Sequence, residues 1–149
     1  MNPIFVTLRI KPSTIFLVNK SNIFVYTELS KLVSSLNSNI LLSKQYLRSQ
    51  AAYFNIIVPK YFSDSLSPEW ESITNQIRKM GPKFDKDGKL TANAIINTID
   101  QMTSEECISL AMRVISLYDK VRIEFEQAWP HSKDNWITML QPSPLLGSI

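Results

Sequence analysis

The segment from Thr103 to Trp129, TSEECISLAMRVISLYDKVRIEFEQAW, decides the fold. It opens on a capping box. The Thr103 hydroxyl can accept from a backbone N–H one turn in, and the Glu106 carboxylate can reach back to the N–H of Thr103. Apolar residues then recur at helical spacing: Cys107, Leu110, Ala111, Val114, Leu117, Tyr118 and Val121. Arg113 stands in the middle of that run. The pattern predicts a long helix that ends near Phe125-Glu126 and is closed by Trp129-Pro130. A helix with this much apolar face needs partners, and the chain before it supplies three more helical patterns.

The one immediately upstream has the clearest ends. Ser67 is read as the N-cap, Pro68 as the first helical residue, and Glu69 and Glu71 as acids favoured by the positive end of the helix dipole. Trp70, Ile73, Ile77 and Met80 form its stripe, and Gly81-Pro82 stops it. A second helix is expected from about Ile40 to Tyr53, with Leu41, Gln45, Arg48 and Ala52 along one side. Phe54–Val58 is then expected to be extended, because Pro59 disfavours helix in the residue before it. The first helix is placed after Thr27 as N-cap, with Leu29, Leu32, Val33 and Leu36 at i, i+3, i+4, i+7. Ahead of it, Ile4, Val6, Leu8 and Ile10 alternate as a strand would. Ile15–Val18 and Ile23–Tyr26 flank Asn19-Lys20-Ser21-Asn22 as a short hairpin. Residues 83–90 read as a charged loop, 92–102 as a short segment leading into the long helix, and 131–149 as a loosely ordered tail.

The resulting expectation is a single domain over residues 1–149, all-α, with a small N-terminal strand region over 1–26. A four-helix antiparallel, up-and-down bundle spans 27–130 with its inner loop at about 81–103. A chain of 149 residues can bury a proper core. Three glycines disfavour dinucleotide folds and phosphate-binding loops, and one cysteine excludes an internal disulfide and a cysteine-based zinc site. A reducing compartment fits. No apolar run reaches the ~18 residues of a membrane span. The acid-poor, serine-rich start has some likeness to an organellar transit peptide, but its strand-like alternation argues against that reading. Residues 1–60 carry seven basic residues against Glu28 alone, a local charge of +6 within a net +3. Such asymmetry suits an anionic partner, head-to-tail self-association, or simply a solvated face.

Few residues suggest chemistry. Asp85-Lys86-Asp87-Gly88 resembles a calcium loop, but Lys83 and Ala94 occupy the positions of essential ligands, so a tight charged turn is the better reading. His131 is the only histidine. Neither a metal site nor a nucleophile–histidine pair is supported, no cofactor is implied, and the chain is read as non-enzymatic. Cys107 belongs to the core face. Bases and aromatics interleave from Lys44 through Tyr46, Arg48, Tyr53 and Lys60 to Tyr61 and Phe62, a mixture open to nucleic-acid contact or to plain core packing. Arg48 and Arg113, on or beside apolar stripes, need a carboxylate or phosphate partner unless they snorkel to solvent. Asp85, Asp87, Asp100, Glu105 and Glu106 gather around the start of the long helix, as dipole caps or as a functional cluster.

The order of these features resembles the coat proteins of rod-shaped plant RNA viruses, of tobamovirus and benyvirus type. The resemblance rests on Pro12-Ser13 before an aromatic-rich extended stretch, Glu28-Leu29 opening a helix, and Arg48 followed by Phe54. It continues with Pro68-Glu69-Trp70 opening the third helix and with Arg113 followed by Phe125-Glu126. It implies a structural capsid protein that self-assembles into helical rods or discs around single-stranded RNA, in the virion and the host cytoplasm, with no membrane partner. The alternative is a small helical adaptor that does not bind RNA. The resemblance carries RNA contact over to Arg48 and Arg113, supported by Lys44, Lys83 and Lys89, with Asp85 taken as the acidic partner of Arg113. Asp85, Asp87, Glu105 and Glu106 would crowd at the axial end as a carboxylate switch that loosens rods towards alkaline pH. Trp70, Phe125, Glu126 and Trp129 would pack the outer half.

Overall fold

The computed structural model describes residues 20–128. The expected strands over 4–10 and 15–18, Trp129-Pro130, His131 and the tail all lie outside the described residues. Six α-helices, two 3-10 turns and one two-stranded antiparallel sheet make up the described chain. The helices are α1 (Ile23–Ser38), α2 (Ser43–Ser49), α3 (Tyr53–Ile56), α4 (Ser67–Ile77), α5 (Ala94–Gln101) and α6 (Ser104–Ala128). The strands are β1 (Lys83–Phe84) and β2 (Leu90–Ala92). The mainly helical expectation stands, but the expected four helices become six.

α6 is the longest element at 25 residues, and α1, α2 and α4 all pack on it. Its stripe is the spine of the core: Cys107, Leu110, Ala111, Val114, Leu117 and Val121 are all buried. The capping box forms as expected. The Thr103 N–H donates to Glu106 Oε1 at 2.8 Å, and the Glu106 N–H donates to Thr103 Oγ1 at 3.1 Å. α1 runs antiparallel to α6, since Ser21 just before α1 meets Glu124 near the end of α6, while Lys44 at the start of α2 meets Met102 just before α6.

Several local expectations are corrected. Ile23–Tyr26 is the first turn of α1 and not a hairpin arm, because the Asn22 side chain caps the helix by accepting from Val25 N at 3.0 Å. Val25 thereby joins Leu29, Leu32, Val33 and Leu36 on one buried face, and the apolar pattern is helical one turn earlier than Thr27. The helix expected over 40–53 breaks at Gln50, and Phe54–Ile56 is helical instead of extended. The break turns the ring of Phe54 onto Trp70, with centroids 5.4 Å apart. The restriction imposed by Pro59 reaches only Ile57 and Val58, which are extended. In α4, Ser67 is the first helical residue and Leu66 the N-cap, so the start lies one position from expectation. α4 also ends at Ile77, leaving Met80 exposed while Trp70, Ile73 and Ile77 are buried.

The charged loop is a hairpin. Asp85 Oδ1 accepts from the N–H groups of Asp87 and Lys89, each at 2.9 Å, and Gly88 takes φ +79°, a backbone that side-chain-bearing residues rarely adopt. β1 and β2 pair with a bulge: Lys83 lies opposite Ala92 and Phe84 opposite Leu90, so Thr91 is the extra residue. α5 follows, capped by Asn93, whose side chain accepts from Ile96 N. It is tied back by Asn97 Nδ2, which donates to Gly81 O at 2.8 Å.

Candidate nucleic-acid interface

α2, the hairpin and α5 enclose an open cleft of about 690 Å³. Arg48, Lys83, Phe84, Thr91, Asp100 and Gln101 are among the side chains that line it. Arg48 stands in the last turn of α2 and reaches across to Asp100 of α5. Its Nε donates to Oδ1 at 2.7 Å and its Nη2 to Oδ2 at 3.4 Å. Lys44, one turn earlier on α2, donates to Met102 O at 2.6 Å and to Asp100 O at 3.4 Å. The carboxyl of Asp100 is held below the ordinary carboxylate range, first by the hydrogen bond from Arg48, which outweighs the opposing effect of burial, and then by the charges of Arg48, Lys44 and Lys83. Arg48 is raised in turn, chiefly by its hydrogen bond to the same carboxylate and then by its charge. One acid therefore sits among three bases.

Of the residues expected to meet RNA, Arg48 and Lys83 line this cleft, and Lys44 stands beside it through its bond to Asp100 O. Lys89 is exposed on the same hairpin. Arg113 is elsewhere, on the face where α6 meets α4. Its guanidinium donates to Glu69 Oε2 at 3.1 Å, to Gln76 Oε1 at 2.6 Å and to Ser72 Oγ at 2.9 Å. The acidic partner of Arg113 is thus Glu69 and not Asp85, whose Oδ1 closes the hairpin turn instead. Glu69, Ser72 and Gln76 line up at helical spacing along α4, so Arg113 joins two helices.

The four carboxylates expected to crowd at the axial end divide. Asp85 anchors the turn and Glu106 completes the capping box, while Asp87 and Glu105 are exposed. The Glu106 carboxyl lies below its ordinary range, chiefly because it accepts the backbone N–H of Thr103. Trp70 is fully buried, stacked between Phe54 and Phe62, and its Nε1–H donates to Ile57 O at 2.7 Å. It is a core residue. Phe125 is half-buried, stacked on Tyr26 at 4.6 Å, with Lys20 Nζ 4.2 Å over its ring. Glu126 is exposed and pairs with Arg122 at 2.8 Å. Cys107 is buried as expected, and burial pushes its thiol up.

Two features had no place in the sequence reading. The Glu124 carboxylate accepts from Ser21 N at 3.0 Å and from the Ser63 hydroxyl, while Ser63 N donates to Ser21 Oγ at 3.0 Å. Both serines are buried. The signal was present, since Glu124 follows Leu117 and Val121 at i+7 and i+3 on the apolar stripe of α6. Arg78 Nη2 donates to Phe54 O at 2.7 Å and to Asn55 Oδ1 at 2.8 Å, holding the end of α3. Among the described residues, no cluster of His, Cys, Asp and Glu could hold a metal ion, and no helix is long and apolar enough to cross a membrane. Comparison with known families, curated proteins and solved structures finds no match for the chain.

Proposed function

We propose that this protein is a non-enzymatic capsid subunit, of the kind that builds rod-shaped plant RNA viruses, and that it assembles helically around single-stranded RNA in the virion and the host cytoplasm. The observation that carries the reading is the gathering of Arg48, Lys44 and Lys83 around one carboxylate at the end of the molecule where α6 begins. Packaging needs phosphate neutralisation that tolerates any sequence, together with surfaces on which bases can stack. A positive cleft beside an exposed aromatic fits that need. In this reading α1, α2, α4 and α6 act as the four-helix bundle of the coat-protein family, and α5 with the hairpin forms the inner loop. Exposed apolar side chains such as Leu41, Leu42, Met112 and Ile123 are the candidates for contacts between copies.

Electron microscopy of the purified protein with and without single-stranded RNA tests the proposal. Rods or stacked discs are expected, lengthened by RNA. A dispersed small particle under both conditions would overturn it and leave the helical adaptor as the reading.

A further inference from the structure

The cleft holds two residues whose arrangement the basic residues alone do not explain. Asp100 meets Arg48 through two N–H donors, the fork that a guanidinium equally offers to a phosphate. Lys83 lines the same cleft, and the Lys44 ammonium lies close by on the carbonyls of Asp100 and Met102. The carboxylate therefore occupies the place where an incoming anion would be held best. The pair is weakly anchored, because both partners are open to water, with side-chain exposures of 54% for Arg48 and 43% for Asp100. Asp100 can turn out to solvent at little cost.

The second residue is Phe84. The rings of Phe54, Phe62 and Trp70 are buried, yet Phe84 is 55% exposed and lines the cleft beside Lys83. Neighbouring residues of a regular strand point to opposite faces. Here both line the cleft, and the bulge at Thr91 sits against them, the kind of irregularity that re-aims a side chain. An aromatic face beside a cationic fork is what one nucleotide of a single strand requires, a stacked base and a neutralised phosphate.

We propose that this cleft is a nucleotide subsite for single-stranded RNA, in which Asp100 stands in for the phosphate until RNA displaces it from Arg48 and Phe84 carries a base. The inference rests on the RNA-binding reading above and adds to it a built-in competitor and a stacking platform. Asp100 then sets a threshold. Isolated phosphates compete poorly with an intramolecular acid, whereas a strand engaging several subsites displaces it in each.

The test uses the full chain and fluorescence anisotropy with a short labelled oligouridine, at several salt concentrations, with inorganic polyphosphate as a base-free competitor. Asp100→Asn should bind oligouridine about fivefold more tightly than the parent, since one competing anion is removed. Phe84→Ala should bind it about tenfold more weakly with an unchanged salt slope, and its affinity for polyphosphate should match the parent's. Arg48→Ala should lower the salt slope by about 0.7. A second measurement needs no variant: oligouridine added to the parent should shift the Arg48 Nε–H and Phe84 ring resonances. Asp100→Asn binding no tighter than the parent, Phe84→Ala binding as the parent does, or unmoved resonances would each overturn the subsite. If the parent forms RNA-filled rods while these results fail, the capsid reading survives without the subsite. If the parent neither binds oligouridine nor assembles, both fall.

Discussion

At the scale of single residues, Trp70 and Arg113 differ in how far water reaches them: Trp70 is fully buried, and Arg113 lies partly in solvent on the face of α4. Trp70 and Cys107 read as apolar positions at helical spacing, and both are buried. Arg113 was visible as a charge needing a partner, but 44 positions separate it from Glu69, and nothing local in the chain marks that pairing. The distinction has consequences for mutants. Trp70→Ala removes a side chain at 0% exposure and a hydrogen bond to Ile57 O, so it should cost about 3–5 kcal/mol in urea denaturation. Arg113→Ala should cost about 1 kcal/mol, because its contacts to α4 lie partly in solvent. In the capsid proposed above, Arg113→Ala should leave the RNA content of purified particles intact, whereas Arg48→Ala should reduce it. Particles emptied by Arg113→Ala, with an unmoved urea midpoint, would place RNA at α6 after all.

At the scale of elements, the sequence spoke clearly wherever caps and periodicity agreed. The Thr103–Glu106 box marked the start of α6, and its hydrogen bonds are in place. Thr103→Ala should cost about 1 kcal/mol, readable as a shift in thermal or urea midpoint. Where local signals conflicted, tertiary packing decided. Ile23–Tyr26 is a short apolar run beside a turn-like Asn19-Lys20-Ser21-Asn22 and reads like a strand, yet Asn22 can cap, and the face of Val25 is needed against α6. The hairpin at 83–92 was hidden because its strands are two and three residues long, too short for a period to show. Glu124 links three segments that no local pattern connects. Glu124→Ala leaves the buried donor of Ser63 without its acceptor and frees Ser21 N, and should cost about 2–3 kcal/mol. A double-mutant cycle with Ser63→Ala should show coupling between the two positions; strict additivity would mean that the carboxylate does not anchor this end.

The whole molecule has two polar ends, and acid should act on them unequally. The end that carries the cleft holds two carboxylates below their ordinary range, each adding modest stability because both are open to water: Asp100, through Arg48, and Glu106, through the Thr103 N–H. A group whose folded pKa is depressed contributes stability that is fully present above its unfolded pKa of about 4, and that stability is lost as pH falls through the folded value. Stability should therefore be flat near neutrality and decline between about pH 5 and pH 2. Because Asp100 ties α5 to α2 and Glu106 caps the start of α6, amides of α5 and of the first turn of α6 should lose hydrogen-exchange protection before those in the middle of α6. Asp100→Asn and Glu106→Gln cannot ionise. Each should begin less stable at neutral pH, and each should lose less on acidification than the parent. The measurement is the urea midpoint of parent and variants across that pH range, with exchange followed by mass spectrometry. Parallel acid limbs for all three proteins would show that these two carboxylates do not set the acid response, and uniform loss of protection would show that the cleft end does not open first.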